Sequence, residues 1–228
     1  MSLACDTCPV RAKAACAALT DGERTALARL GRTRELKRGE RLFAAGDDIT
    51  ACATLIEGAL KVAATDAEGN ESILALVHPA GFIGEMFAPF PSYEVTALTE
   101  SRVCQFSRAH LEAAVERHPA LGIALLQRAQ EDLHHARELL DLSRRKTAAA
   151  RVAGLILAFA RAASDSPCHP AQSFDLPLTR GEMAAMLGLT IETVSRQLGE
   201  LEAMGTIARK GARGIDLVSP AQLGELAV

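Results

Sequence analysis

Residues 178–205 read LTRGEMAAMLGLTIETVSRQLGELEAMG, and this stretch indicates two short helices joined by a tight turn. The S/T-x-x-E capping box from Thr179 to Glu182 predicts the start of the first helix, and Thr190 can cap the second. Gly188 lies between them, where the backbone must leave right-handed helical geometry. These signals together predict a helix-turn-helix, an element that presents its second helix to the major groove of DNA.

The predicted second helix has two faces of different character. Val194, Leu198 and Leu201 recur at helical spacing and predict a buried inner face. Polar residues on another face of the helix can reach DNA. An arginine there can bond bidentately to guanine, a glutamate can accept from the amino group of cytosine, and a serine can bond to a base or a phosphate. A solvated face on an ordinary helical hairpin is the alternative. The residues predicted to contact DNA are Arg180, Thr190, Glu192, Thr193, Ser195 and Arg196.

The sequence on both sides of this motif extends it to a domain. Residues 207–219, IARKGARGIDLVS, have β-prone ends around a basic, glycine-containing turn, which is typical of a wing that touches phosphate. Residues 148–163, AAARVAGLILAFARAA, predict an apolar helix that ends before a polar, proline-containing stretch. We therefore expect a winged helix-turn-helix domain over residues 147–228.

A long helix is predicted ahead of this domain, from Pro119 to about Arg145, because no Gly or Pro follows Gly122. Its apolar residues form a narrow seam at alternating steps of three and four. A helix of this length with such a seam more often pairs with a copy of itself than lies on its own domain, so a homodimer is predicted. The predicted dimer interface is Leu126, Ala129, Leu133, Ala136 and Leu140.

Residues 34–106 carry a different pattern, in which short β-prone segments such as RLFAAG and SILALVH are separated by glycine. Many short strands of this kind favour a β-sandwich or jelly-roll barrel. The predicted fold class is α+β: an N-terminal β-barrel of jelly-roll type, a long dimerisation helix and a C-terminal winged helix-turn-helix. The predicted boundaries are residues 1–18 for a cysteine-rich segment, 19–117 for a β-barrel sensor domain, 118–146 for the dimerisation helix and 147–228 for the DNA-binding domain.

Composition limits the function classes. The chain is 49% hydrophobic and 23% charged, with a net charge of −3 that neither favours nor excludes nucleic acid. No apolar run reaches the roughly 18 residues that a membrane span needs, and the N-terminus lacks a secretory pattern, so we expect a cytoplasmic protein. Six cysteines in a reducing compartment favour metal binding or redox chemistry. Cys52, in an apolar strand, is predicted to be a core residue, and Cys168, in a polar loop, to be incidental.

The sequence resembles the superfamily of the cyclic-AMP receptor protein and FNR, the fumarate and nitrate reduction regulator. The resemblance rests on residues 179–205 and on the order of β-rich sensor, long helix and winged domain, and it covers nearly the whole chain. It implies a sensor with the fold of a cyclic-nucleotide-binding domain. Glu192, Ser195 and Arg196 match the E-x-x-S-R motif of the FNR and FixK branch. This match implies recognition of TTGAT half-sites in an inverted repeat of double-stranded DNA.

The resemblance also concerns the signal. Cys5, Cys8 and Cys16 form C-x2-C-x7-C, similar to the N-terminal motif of FNR-type oxygen sensors, and Cys104 aligns with their distant fourth ligand. This implies a [4Fe–4S] cluster, since such clusters favour four thiolates. It further implies dimerisation while the cluster is intact and contact between RNA polymerase and a sensor loop such as residues 66–71.

Cyclic nucleotide is not expected as the signal. In cyclic-AMP binders of the superfamily, an arginine and a hydroxyl residue hold the phosphate after a Gly-Glu motif, matched here by Gly84 and Glu85. The corresponding positions are Tyr93 and Glu94. A carboxylate at this place would repel the phosphate.

Other interpretations remain open at this point. Four thiolates suit zinc equally well by ligand count, and a C-x-x-C pair can be a redox pair. A haem-based nitric oxide sensor would have the same DNA-binding half, and His134 and His135 could serve haem or metal, although exposed or interfacial histidines are commoner. An iron–sulfur electron carrier would leave the helix-turn-helix unexplained. No nucleophile and base, paired carboxylates or phosphate-binding glycine loop is recognisable, so an enzyme is not expected.

Overall fold

The computed structural model of the chain describes residues 5–46, 50–84, 93–164, 169–211 and 213–228. Glu85 and Cys168 lie outside the described residues. The chain divides into two compact units. The first comprises Met1–Asp66 and Ile73–Ala136, and the second comprises Ala67–Ser72 and Arg137–Val228.

The first unit is built on two four-stranded, mainly antiparallel sheets. Its strands are β1 (Gly31–Leu36), β2 (Arg41–Phe43), β3 (Ala51–Glu57), β4 (Leu60–Thr65), β5 (Glu71–Val77), β6 (Phe82–Ile83), β7 (Glu94–Ala97) and β8 (Ser101–Ser107). One sheet has the order β1-β8-β3-β6 and the other has the order β2-β7-β4-β5. This arrangement confirms the β-sandwich that the spacing of short strands and glycines predicts.

The core of the sandwich follows from the alternation of side chains along each strand. On β8, Ser101, Val103 and Gln105 are buried, and the residues between them are less so. Val103 packs in one cluster with Leu55 of β3 and Leu60 of β4. Residues of β8 on the opposite side, including Cys104, therefore face away from this cluster, and a second set of elements packs against them.

The first unit also contains helices, the last of which runs past the end of the unit at Ala136. They are α1 (Asp21–Ala28), α2 (Arg108–Arg117) and α3 (Pro119–Arg144), preceded by two short 3-10 helices, Cys5–Thr7 and Ala15–Ala18. The Thr20 backbone N–H donates to the Glu23 carboxylate over 2.8 Å and the Thr20 hydroxyl accepts from the Glu23 N–H, so α1 begins with a capping box. The 26-residue α3 confirms the predicted long helix. Among the described residues, no helix is long and apolar enough to cross a membrane.

The second unit contains the predicted winged helix-turn-helix. Its elements are α4 (Ala148–Ala162), β9 (Ser173–Asp175), α5 (Arg180–Leu187), α6 (Ile191–Ala203), β10 (Ile207–Lys210), β11 (Gly214–Leu217) and α7 (Pro220–Leu226). The strands form one antiparallel sheet in the order β10-β11-β9. The sequence predicts the β10–β11 wing but not β9, whose three residues are too short to leave a pattern.

Candidate cysteine centre and nucleic-acid interface

Cys5, Cys8, Cys16 and Cys104 line one cavity of the first unit. The volume of this cavity is about 110 Å³, several times the 10–15 Å³ or so that one water molecule needs. All four cysteines are half-buried free thiols. Cys52, in contrast, is fully buried beside Leu111 and Leu121, which confirms the expectation that it is a core residue. The structure therefore brings Cys104 into one cavity with the three cysteines of the N-terminal motif, although almost a hundred residues separate them in sequence.

Cys104 reaches this cavity because of its register on β8. It lies opposite Thr33 of β1 and Thr54 of β3, and both threonines also line the cavity. Phe106, two residues further along β8, lies on the same face. The outer face of the β1-β8-β3 sheet is thus the floor of the cavity.

The N-terminal segment, residues 5–19, forms the other wall. Val10 and Ala14 are buried against Ile56 and Ala80, in contact with three of the four cysteines. Arg24 of α1 anchors the segment, since its Nε donates to the Cys16 carbonyl over 3.1 Å and its Nη2 donates to the Leu19 carbonyl over 2.7 Å. Arg24 is itself buried, so these bonds replace the water that its guanidinium loses.

Burial and crowding keep the thiols of the cavity in the neutral form. Burial raises the pKa of the Cys5, Cys16 and Cys104 thiols, and the neighbouring thiols raise these pKa values further. The Arg24 guanidinium acts in the opposite direction on the pKa of Cys5 and of Cys16. The thiols therefore disfavour ionisation as a group, and a bound metal centre is the kind of positive charge that deprotonates such a set.

A single metal ion and a cluster make different demands on four thiols. Zinc bound by four thiolates needs every sulfur about 2.3 Å from one point. Among the described residues, no group of three or more Cys, His, Asp or Glu side chains is placed to hold one metal ion. A four-iron cluster takes each thiolate on a different iron atom, so its ligands surround a volume. Thiols that line a cavity without meeting at one point fit this second requirement.

The long helix α3 touches the cysteine-bearing segment. Arg128 of α3 donates from Nη2 to the backbone carbonyl of Lys13, which lies between Cys8 and Cys16. Its Nη1 is held 2.5 Å from a carboxylate oxygen of Glu131, one turn further along α3. Sequence reasoning did not single out Arg128, because a contact to a backbone carbonyl leaves no pattern.

An apolar stripe on α3 is exposed in the single chain. Leu126, Leu133 and Leu140 are 61%, 50% and 56% exposed, and Ile123 at 61% extends the stripe by one turn. Ala129 is exposed and Ala136 is half-buried. Ile123 was missing from the predicted set, although its place three residues before Leu126 was a usable signal. An exposed stripe of this length is typical of a helix that pairs with a partner.

The two helices of the helix-turn-helix begin at the predicted caps. The Thr179 hydroxyl accepts from the Glu182 N–H over 3.2 Å, and the Thr190 hydroxyl accepts from the Thr193 N–H at the same distance. Gly188 ends α5 in the left-handed region, with φ of 61°. Val194, Leu198 and Leu201 are buried, which confirms the inner face of α6.

The outer face of α6 is open to solvent. Glu192 and Arg196 are exposed, and the Arg196 guanidinium lies 3.8 Å from Glu200. Ser195 accepts a 3.3 Å hydrogen bond from Nη1 of Arg180, at the start of α5. The structure therefore gathers these DNA-binding candidates on one surface, while Thr190 and Thr193 share a hydrogen bond within the cap of α6.

A basic cleft of about 590 Å³ lies beside this surface, between α5, α6 and the wing. Arg180, Arg209 and Arg213 line it. Arg209 donates from Nε to Glu202 over 2.9 Å, and this contact lowers the pKa of the Glu202 carboxyl. Basic side chains around a recognition helix are suited to the phosphate backbone, which positions a protein on DNA.

The Tyr93 and Glu94 positions lie at the start of β7. Tyr93 is 40% exposed. The Glu94 carboxylate lies 2.7 Å from Nε of Arg41 on the neighbouring strand β2, and it accepts a 2.7 Å hydrogen bond from the Thr96 hydroxyl. Arg41 thus forms an ion pair with Glu94.

A β-sandwich, a long helix and a winged helix-turn-helix, in this order, define a class of DNA-binding regulators whose sensor precedes the DNA-binding domain. Residues 33–118 match the cyclic nucleotide-binding domain family, and residues 150–226 match the Crp-like helix-turn-helix domain family. The solved structure of FixK2 from Bradyrhizobium japonicum superposes with a TM-score of 0.77 at 26% identity, covering 87% of this chain and 98% of that chain.

Named relatives narrow the class. The chain is 34% identical over 97% of its length to the transcriptional activator protein FnrL of Cereibacter sphaeroides, 90% of which is covered. It is 31% identical to the nitrogen fixation regulation protein FixK of Bradyrhizobium diazoefficiens, over 98% of this chain and 93% of that protein. It is 29% identical to the fumarate and nitrate reduction regulatory protein of Vibrio cholerae, over 86% and 78%. The chain belongs to the Crp/FNR family and is a transcription regulator of the FNR and FixK type.

Proposed function

We propose that this chain is an oxygen-responsive transcription regulator that holds a [4Fe–4S] cluster with Cys5, Cys8, Cys16 and Cys104. The observation that carries the proposal is the single cavity that these four thiols line, since Cys104 is remote from the other three in sequence. The four thiols surround a volume large enough for more than one atom, and this supports a cluster as the bound group. Relatives named as transcriptional activators support activation as the outcome.

When bound, the cluster supplies an oxygen-labile link of iron and sulfide between the N-terminal segment and β8. The residues of the chain turn this link into a structural signal. A cluster held by Cys8, Cys16 and Cys104 would restrain the segment that contains Lys13, whose carbonyl accepts a hydrogen bond from Arg128. Arg128 then fixes the N-terminal part of α3 against the cysteine-bearing segment. Release of the segment removes this support from α3, and dimerisation weakens.

The dimer is the form that binds DNA. Pairing through Leu126, Leu133 and Leu140 covers an apolar stripe that is otherwise in water. Two copies of α6 then face half-sites about 34 Å apart along the duplex, one helical turn, as an inverted TTGAT-type repeat requires. The loop of residues 66–71, exposed over residues 66–70, is the proposed contact for RNA polymerase.

The test uses the full chain purified without oxygen. We expect about four iron and four sulfide per chain, visible absorption, and binding to the palindrome that falls as the colour bleaches in air. Cys104→Ala should lose the cluster, and the matched control Cys52→Ala should keep it because Cys52 lies in the core away from the cavity. Anaerobic protein without iron, or with zinc in its place, would overturn the cluster and leave the DNA-binding assignment standing.

A further inference from the structure

Arg102 lies two residues before Cys104 on β8, so both side chains leave the same face of the sheet. Arg102 lines the cavity together with the four cysteines. Neither the helix-turn-helix nor the C-x2-C-x7-C motif involves this residue. Its position nevertheless puts a guanidinium at the wall of the site where the cluster is proposed to bind.

The hydrogen bonds of Arg102 are incomplete. Its Nη2 donates to the Glu57 carboxylate over 2.5 Å. Its Nε is shut off from solvent and has no acceptor among the described residues. A buried N–H without a partner is unfavourable, and such a group in a folded protein calls for an explanation such as an absent ligand. The donor and the cavity are two independent observations on one side chain.

The other arginines of the cavity are committed to the chain. Arg24 donates to the carbonyls of Cys16 and Leu19 and to the Asp21 carboxylate. Arg11 also binds Asp21, over 2.6 Å. Both serve to hold the N-terminal segment. Arg102 is different, because its Nε has no such role in the part of the chain that the structure describes.

A four-iron cluster with four thiolates would supply an acceptor for this N–H. Its sulfide and thiolate sulfurs carry net negative charge and accept hydrogen bonds, and such bonds help to set the reduction potential. We infer that Arg102 donates an Nε–H···S hydrogen bond to the bound cluster and raises its one-electron reduction potential. The inference rests on the proposed function. Reduction adds one electron, and therefore one negative charge, which a nearby donor and cation stabilise.

The experiment compares Arg102→Met with the parent chain, both purified without oxygen and matched for iron and sulfide. Each is titrated with a reductant in the presence of mediators, and the reduced cluster is counted by electron paramagnetic resonance. We expect the ratio of reduced to oxidised cluster at a fixed potential to fall at least tenfold in the variant, which is a shift of about 59 mV to lower potential. The potential responds to charge and hydrogen bonds at the cluster, so it reports on Arg102 separately from cluster assembly.

Two further variants separate the causes. Arg102→Lys keeps the positive charge but has carbon where Nε lies, so we expect a smaller decrease in the same direction; this variant decides the question if Arg102→Met does not assemble a cluster. Glu57→Gln removes the carboxylate partner and leaves Nε in place, so its potential should not fall. Equal potentials in parent, Arg102→Met and Arg102→Lys would overturn the inference, as would a fall of the same size in Glu57→Gln. A parent chain without iron would instead overturn the proposed function.

Discussion

Arg196 is the residue on which sequence-specific recognition should depend most. It is exposed on the outer face of α6, and its contact with Glu200 is long enough, at 3.8 Å, to be exchanged for a guanine. Arg196→Ala should weaken binding to the TTGAT palindrome by about 1–3 kcal/mol per half-site and relax the preference at one base pair. Fluorescence anisotropy on the palindrome and on a scrambled duplex, at matched salt, measures both effects.

Arg161→Ala is the control for this prediction. Arg161 is an exposed arginine on α4, outside the helix-turn-helix, so its loss changes the net charge equally. This substitution should slightly weaken binding to both duplexes and leave the ratio of the two affinities unchanged. Equal effects of the two substitutions would contradict the role of Arg196.

The cysteines should differ in reactivity according to their burial. Burial raises the pKa of Cys52 to about 11, so roughly one thiol in a thousand is ionised at pH 8, and the side chain has no solvent contact. In cluster-free protein, iodoacetamide should therefore modify Cys5 and Cys8 well before Cys52. Tryptic peptides 1–11 and 42–61 separate these sites for mass spectrometry. Early labelling of Cys52 in folded protein would place it outside the core.

Sequence predicts some of these residues and misses others for a physical reason. Caps at Thr179 and Thr190 depend on residues three positions away, so they are readable in one dimension. The roles of Arg24, Arg102 and Arg128 depend on how the N-terminal segment packs against α1, β8 and α3. That packing is a tertiary property, and an arginine in the sequence carries no mark of it.

At the scale of elements, the exposed stripe of α3 predicts a dimer that one charge can break. Leu133→Asp places a carboxylate in the interface of both copies, so the loss of association free energy occurs twice in each dimer. Loss of about 1.5–3 kcal/mol of apolar burial per copy should raise the dimer Kd by a hundredfold or more. Sedimentation velocity over a concentration series measures the change.

Leu30→Asp is the matched substitution for Leu133→Asp. Leu30 is 45% exposed in the turn before β1, away from α3 in sequence and outside the stripe. It should leave the dimer Kd as in the parent chain. A parent chain that sediments as a monomer at every concentration would exclude the proposed interface.

Two glycines of the helix-turn-helix should respond in opposite directions to alanine. Gly188 has φ of 61°, so Gly188→Ala should lower the free energy of unfolding by about 1–2 kcal/mol although a Cβ there meets nothing within 4 Å. Gly199 lies inside α6 with the same free space, so Gly199→Ala should raise this free energy by roughly 0.5–1 kcal/mol. Urea denaturation followed by circular dichroism tests both, and effects of equal sign would contradict the turn geometry.

Elements differ in how far sequence predicts them. α3, α5 and α6 follow from helical periodicity and caps, and the long stripe needs only spacing. Strand pairing does not follow in this way. The placement of β8 between β1 and β3 joins residues 31–36, 51–57 and 101–107, and no local pattern records which strands become neighbours. The family resemblance predicts that Cys104 joins the three N-terminal cysteines, and the register of β8 explains how its side chain reaches their cavity.

For the whole molecule, Arg128 should couple the cysteine centre to DNA binding. Arg128→Ala removes the contact with the Lys13 carbonyl and leaves all four cysteines in place. We expect a normal iron content but a several-fold smaller difference in DNA affinity before and after air, since coupling of this kind amounts to about 1–3 kcal/mol. Absorption and anisotropy on the same samples give both quantities.

The control for coupling is Glu131→Gln. It removes the ion pair of Arg128 on α3 and keeps the contact with Lys13. Its response to air should equal that of the parent chain. An unchanged response in Arg128→Ala would assign the coupling to another route.

The cavity that Cys16 and Cys104 share has a consequence for the lifetime of the protein in the cell. A group bound to both residues closes a loop that contains nearly all strands of the first unit. By the chain-entropy relation for cross-links, closing a loop of that size stabilises the folded state by about 4–5 kcal/mol, a large part of the stability of an ordinary domain. Loss of the group would then make the regulator a better substrate for proteases as well as a weaker DNA binder. Its abundance would fall in the same conditions that silence it, and recovery would require new synthesis in addition to repair.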